Sequence, residues 1–463
     1  MAEQTAVLDA TPYLNDETLR GWLERRRWYA SKSRRVTSIE AVETVMLGVD
    51  PPLALLLVQA GFAGGAHDLY QLPVTIRPVD DGEAPIASAD GWGLHDALTD
   101  PRQAAKLLEL VETGQSFQTD DGCLRFHGPG VTAAGAQTPA GARPVGVEQS
   151  NTSIVFGDRL VMKAFRRIEP GINPELELLA FLGSHGFQHI APLHGWYEYD
   201  GASLAVTLGV VQEFVNGAVD GWEMALDRIA SDPDGLIAAL GALGTVTGQM
   251  HSVLGSDSTD PAFAPEEPSE EAMSLLTATV DEDIERVFLR LPQLESLTPI
   301  AGHGEDVREL LGARSKLGVG GRVIRTHGDY HLGQTLLAPR GWVVIDFEGE
   351  PSRSLAERRQ KRSPLRDVAS MLRSFAYACS AAAIHHGRSA PAGFEERARE
   401  AFLTHYFDAV DSTLLPPGAA AVQNMLFVYE LEKAVYELRY ELDNRPDWVS
   451  IPAAGIRRLL ESE

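Results

Sequence analysis

Nine consecutive residues, Thr326-His327-Gly328-Asp329-Tyr330-His331-Leu332-Gly333-Gln334, hold the densest chemistry in the chain, and Val343-Val344-Ile345-Asp346-Phe347-Glu348 follows closely. Phosphoryl transfer needs parts of these kinds at this spacing. The carboxylate of Asp329 can take the proton of an acceptor hydroxyl or orient that hydroxyl. An amide oxygen five residues on, Gln334, can ligate Mg2+. Asp346, at the end of an apolar strand, can bridge that metal to nucleotide phosphates. The interval from Asp329 to Gln334 equals that from Asp to Asn in a protein-kinase catalytic loop.

Such chemistry requires a phosphate-covering loop and a cation upstream. Residues 147–153 (VEQSNTS) read as a small polar turn, in which Ser150, Asn151, Thr152 and Ser153 would cover phosphates through hydroxyls and backbone N–H groups. Lys163 lies inside the apolar run 160–165. A lysine turned inward from a strand is costly unless it meets anions, and ATP phosphates plus a helix carboxylate would supply them. The helix over 173–183 offers Glu175 and Glu177, of which Glu177 is the preferred partner. The apolar run 210–215, with Glu213 and Val215, stands where a hinge would present backbone groups to adenine.

The elements that must position these groups differ along the chain. A helix over 16–27 precedes short strands at 39–47, 53–58 and 70–76, all within a β-rich stretch. Residues 128–143, rich in Gly, Ala and Pro, read as a linker between modules. Strands and one helix fill 144–212, and helices dominate from about 220, for example over 235–251, 270–290 and 419–443. A strand–loop–strand island at 323–348 interrupts them.

Composition bounds the partners. The 463 residues carry 40 Lys+Arg against 65 Asp+Glu, a formal charge of −25. Nucleic-acid backbones and anionic lipid surfaces need a basic footprint, so neither is an expected partner. Two cysteines without ligand spacing exclude a disulfide scaffold. The N-terminus lacks a basic, then apolar, leader pattern, and no apolar run approaches the ~20 residues of a membrane span. A cytoplasmic protein, monomer or homodimer, is expected.

HGDYHLGQ, then DFEGEP (346–351) and ERRQKRSPLRDVASMLRSFAYA (357–378), resembles the maltokinase family of bacteria, whose kinase-like fold is related to the aminoglycoside phosphotransferases. WLERRRWYASKSR (22–34) is similar to the W-x-x-x-Q-R-W-[YF]-x-x-K segment of that family's cap, although Arg26 replaces its glutamine and Ser31 a common glycine. YELRYELDNRPDWVSIP (436–452) extends the likeness towards the C-terminus. The resemblance implies an α+β, two-lobed protein-kinase-like fold with an extra β-rich N-terminal cap and a large helical C-terminal lobe. The expected boundaries are 1–90 for the cap, 91–212 for the nucleotide lobe and 213–463 for the helical lobe. It implies transfer of the ATP γ-phosphoryl to the anomeric hydroxyl of maltose, with Asp329 as base, Gln334 and Asp346 on Mg2+, and Lys163 on phosphates.

Kinases for other sugars, notably glucosamine, share these motifs, so glucosamine is the alternative acceptor. A catalytically inactive nucleotide-binding module is disfavoured, because the lysine, base and metal ligands are all present. A glycosidic enzyme would want two carboxylates about 5–10 Å apart without a metal amide between them. Acceptor candidates are His331 and, on the last helical segment, Glu430, Tyr436, Tyr440, Asn444, Arg445 and Trp448. Glu430, Glu437 and Glu441 fall near one helical face, as do Lys433, Tyr436 and Tyr440. Asp367 is expected to stabilise the catalytic loop. The basic run 353–366 is expected to pair with carboxylates, and His385 and His386 to sit at a helix end.

Overall fold

The computed structural model describes residues 16–29, 31–32, 34–79, 84–129, 141–145, 151–315 and 320–461. Two compact units divide the chain: Met1–Ala180 with Ala191–Asn216, and Phe181–Ile190 with Gly217–Glu463.

The first unit is built on two antiparallel sheets. One orders its strands Val36–Val49, Pro52–Phe62, His67–Pro78, Trp92–Asp96 and Ala87–Ala89, with Arg167–Ile168 added beside His67–Pro78. Strand Pro52–Phe62 shows why the sheet forms. Leu53, Leu55 and Leu57 enter one core, which includes helix Pro101–Thr113. Ala54, Leu56 and Val58 enter another, with Leu19, Trp22 and Trp28. Alternate residues of a strand face opposite sides, so a continuous apolar run means burial on both. The cap sheet thus runs past residue 90 to Asp96.

The second sheet orders Ser116–Gln118, Gly122–His127, Leu193–Gly201, Ala205–Glu213, Leu160–Phe165, Asn151–Phe156 and Ala142–Pro144. The Gly/Ala/Pro-rich segment 128–143 is therefore no boundary between modules. It joins strands of one sheet, although residues 130–140 lie outside the described residues.

The second unit is mostly helical. Helix Pro233–Leu254 packs on Phe394–Ala409, and helix Leu365–His386 on Ala419–Asn444. Gly244 permits the first contact, since a Cβ there would lie 2.2 Å from the carbonyl oxygen of Phe402. A second core gathers Val280, Ile284, Leu311, Val428, Leu431, Leu438 and Ile456. The island at 323–348 differs from the expected strand–loop–strand. Val323 and Ile324 make only isolated bridges, to Glu266 and Arg362, and the paired strands Thr335–Ala338 and Gly341–Val344 both follow the polar loop. The loop is instead tied down by polar contacts, as described next. No helix among the described residues is long and apolar enough to cross a membrane.

Candidate active site

In the second unit, a buried polar network fixes the loop 326–334. The carboxylate of Asp367 accepts the backbone N–H of His327 at 2.8 Å and of Gly328 at 3.0 Å. His251 Nε2 lies 3.3 Å from the same carboxylate, and its Nδ1 lies 3.1 Å from the Tyr406 hydroxyl. Burial alone would raise the Asp367 carboxyl; the hydrogen bond and proximity of His251, the His327 imidazole and the Gly328 N–H outweigh it and hold the group below its ordinary range.

His327 is also fixed through both ring nitrogens. Nε2 reaches the Ile345 carbonyl at 2.9 Å and must carry the proton, while Nδ1 accepts the Asp329 N–H at 3.4 Å. Tyr330 is fully buried and reaches the Thr247 hydroxyl at 2.8 Å; burial pushes its own hydroxyl up.

These anchors leave Asp329 between two immobilised neighbours, with its side chain 23% exposed. His331 Nε2 lies 3.9 Å from Asp329 Oδ2, and His331 Nδ1 accepts the Gly333 N–H at 3.1 Å, capping the turn Leu332–Gln334. Half-buried His331 is pushed below its ordinary range by desolvation; Lys433 and His327 add to this, and Asp329 and Asp346 oppose it. The Ile345 N–H donates to the Gln334 carbonyl at 3.0 Å, so the residue before Asp346 is bonded to Gln334. Asp346 itself adopts φ +64°, a left-handed conformation that side chains rarely occupy and that gathers at functional sites. An amide and a carboxylate are hard oxygen donors of the kind Mg2+ takes.

A cavity of about 930 Å³ opens beside Asp329. Of the acceptor candidates, His331, Tyr436, Tyr440, Arg445 and Trp448 line it. Asp220, Trp222, Glu223, Ser370, Ser374, Tyr377, Lys433, Glu437 and Glu441 line it too. Arg445 makes two bonds to Glu441, at 2.9 and 2.7 Å, and its guanidinium lies over the rings of Tyr440 and Trp448. Arg373, fully buried, donates from Nε and Nη2 to one oxygen of Glu437, Oε2, at 2.9 and 2.6 Å.

Two acceptor candidates fall elsewhere. Glu430 is buried in an ion pair with Arg399 at 2.8 Å, because it sits two turns before Glu437 where the helix runs against other core elements. Asn444 is exposed at the helix end and bonds the Tyr440 carbonyl at 2.8 Å. Ser370, Ser374 and Tyr377 were legible in principle, since intervals of four and three put them on one face of helix Leu365–His386. Trp222 and Glu223 carried no such signal; they enter because Asp220 caps helix Gly221–Ser231 through their N–H groups. The basic run pairs as expected, Arg353 with Glu350 and Arg366 with Glu432, each at 2.8 Å.

The first unit holds the candidate nucleotide cation. Lys163 Nζ lies 2.6 Å from Glu175 Oε2, with the lysine side chain 15% exposed and the glutamate nearly sealed. Gln212 Nε2 donates to the other Glu175 oxygen at 3.2 Å. Glu177 is thus not the lysine's partner: two residues on, it is turned by about 200° around the helix. The phosphate-covering residues also differ from expectation. Ser150 lies outside the described residues, and Asn151, Thr152 and Ser153 already belong to strand Asn151–Phe156, where Ser153 pairs with Lys163 in register. Thr152 Oγ1 accepts from Arg166 Nε at 2.7 Å. The Glu213 N–H is taken by the Pro192 carbonyl at 2.9 Å, so it cannot donate to adenine; Val215, the other hinge candidate, is half-buried.

A strand lysine paired to a helix glutamate, together with an anchored H-G-D loop followed by a strand-terminal aspartate, defines a kinase-like phosphotransferase. The comparisons agree. A solved glucosamine kinase in complex with glucosamine, ADP and inorganic phosphate superposes with TM-score 0.72 at 20% identity, covering 99% of this chain and 100% of that one. Residues 22–100 match the maltokinase N-terminal cap domain, and residues 141–408 match the phosphotransferase enzyme family, to which the chain belongs. A glucosamine kinase of Mycolicibacterium smegmatis is 30% identical over 360 residues, 72% of this chain and 85% of the relative. One of Streptacidiphilus jiangxiensis is 27% identical over 350 residues, 70% of this chain and 75% of that one.

Proposed function

We propose that the protein is an ATP-dependent sugar kinase and that its preferred acceptor is an aminosugar, with glucosamine the first candidate. The observation that carries this reading is the charge of the acceptor cavity: Asp220, Glu223, Asp329, Glu437 and Glu441 line it against only Lys433 and Arg445. Both Arg373 bonds fall on Glu437 Oε2, which leaves Oε1 to receive an ammonium or hydroxyl. A cationic sugar gains from such a lining where a neutral one gains only hydrogen bonds. The names of the two curated relatives point the same way. Maltose, the acceptor implied by the motifs, remains the second reading, favoured by the cap match and by a cavity of about 930 Å³ that has room for a second ring.

In this reading Asp329 accepts the proton of the acceptor hydroxyl as its oxygen attacks the γ-phosphorus, and ADP leaves with the bridging oxygen. The His327 ring and the Asp367 carboxylate hold the backbone of Asp329 so that its carboxylate needs no rearrangement. Lys163, aimed by Glu175, holds nucleotide phosphates. Gln334 and Asp346 would hold Mg2+, which neutralises charge on the phosphates when bound. ADP release measured with Mg-ATP and glucosamine, maltose, glucose or an aminoglycoside tests the proposal. A higher kcat/KM for glucosamine than for maltose is expected; the reverse order would give the acceptor to the second reading, and no release with any sugar would remove both.

A further inference from the structure

Beside the acceptor cavity lies a smaller one of about 270 Å³, and the two share Ser370, Lys433 and Tyr436. Four arginines line one or the other, and each has a carboxylate: Arg353 has Glu350, Arg366 has Glu432, Arg439 has Asp283 at 3.1 Å, and Arg445 has Glu441. Lys433 is the exception. It lines both cavities, is half-buried, and makes no ion pair among the described residues; its Nζ lies 5.4 Å from the Tyr436 ring, and its charge acts on Glu350 and His331 without a direct ion pair.

The nearby carboxylates pair with other cations. Glu432, next in sequence, holds Arg366, and Glu350 holds Arg353; Glu437, one turn on, gives Oε2 to Arg373, and its Oε1 is the oxygen left for the acceptor. A half-buried ammonium without a directly paired anion is costly, and an acidic chain of net charge −25 had many ways to supply one. The reaction supplies the missing anion. A sugar that enters this cavity with no negative charge leaves with a phosphate, among carboxylates that repel it.

We infer that Lys433 is a further catalytic residue, the cation that receives the transferred phosphoryl group on the acceptor side and holds the phosphate of the sugar product. This rests on the sugar-kinase reading above. A lysine suits the task better than another arginine, because a point charge on a flexible stem can follow the moving group. The atoms balance without it: the hydroxyl proton goes to Asp329, the new bond joins sugar oxygen to phosphorus, and the broken bond leaves its electron pair on ADP. Lys433 only offsets charge as it arrives on the acceptor side.

The test compares the wild-type protein with Lys433→Met, Lys433→Gln and Lys433→Arg, using Mg-ATP and the best sugar of the panel. Loss of one charge-stabilising donor lowers kcat by roughly 10²–10³-fold. The acceptor KM should change less than about threefold, and Lys433→Arg should recover part of kcat. Inhibition by the sugar-phosphate product should weaken at least about tenfold in Lys433→Met. Unchanged kcat and product inhibition in both neutral variants would overturn the assignment. Should the wild type turn over none of the sugars, the acceptor reading fails, and radiolabelled inorganic phosphate with the MgADP-bound protein decides the lysine's role. Weaker phosphate binding in the neutral variants then supports it, and equal binding refutes it. Melting temperatures close to wild type for at least one neutral variant confirm that the effect is not unfolding.

Discussion

The Asp367 carboxylate accepts the backbone N–H of His327 at 2.8 Å, with both residues buried, and this bond ties helix Leu365–His386 to the loop that carries Asp329. Asp367 touches no substrate in this account; it positions the loop. Asp367→Asn replaces one accepting oxygen with an amide that faces N–H donors. A loss of roughly 3–5 kcal/mol, the scale for breaking a buried charged pair, is expected in urea unfolding, together with a fall in kcat. Unaltered stability would mean that the network does not anchor the loop.

Acid should weaken the fold through named groups. The hydrogen bonds and charge of Arg353, with Ser352 and Lys433, outweigh burial and push the Glu350 carboxyl down to about 2, and Asp367 is also lowered. A depressed carboxyl contributes stability above its unfolded pKa, ~4, and that contribution is lost as pH falls through the folded value. Stability should therefore decline for Glu350 between pH ~4.5 and about 2. Glu350→Gln should flatten that part of a pH–denaturation profile; an identical profile would contradict the assignment.

The nucleotide half separates two glutamates. Glu175→Gln weakens the pairing of Lys163 and should raise the KM for Mg-ATP by about tenfold, the scale of one charge-assisted hydrogen bond. Glu177→Gln should leave it within about twofold. Initial rates at varied ATP and saturating acceptor decide, and equal effects would mean that the pair observed at 2.6 Å does not serve the nucleotide.

Arg166 joins the cap sheet to the lysine strand. It is buried, donates to Asp96 at 2.5 Å and to Thr152 at 2.7 Å, and lies over the Trp28 ring. Arg166→Met leaves a buried aspartate without its cation, so a loss of about 3–5 kcal/mol is expected from chemical denaturation. A loss below about 1 kcal/mol would show that Asp96 is not held by this pair.

Sequence pattern alone made the candidate catalytic loop legible, because Asp329, Gln334 and Asp346 are placed by local spacing and by the short hairpin that joins them. Local spacing is also why the lysine's partner was ambiguous: Glu175 and Glu177 occupy the same helix turn, and only the packing of that helix selects one. The last long helix failed in a different way. Its acidic face was visible, but Glu430 meets Arg399 while Glu437 and Glu441 reach the cavity, a difference set by which elements cross the helix at each turn. Arg166 was invisible, since a lone arginine after an apolar strand gives no sign of the aspartate 70 positions earlier that neutralises it. Trp222 and Glu223 likewise reach the site only through the fold.

The most direct test of the central claim is turnover of Asp329→Asn beside wild type with Mg-ATP and the best sugar acceptor. Phosphorylated sugar is followed by mass spectrometry, and ATP binding by titration. The account predicts a loss of at least about 10²-fold in kcat, the usual scale for a general base, with ATP affinity retained. Near wild-type turnover in that variant would contradict it.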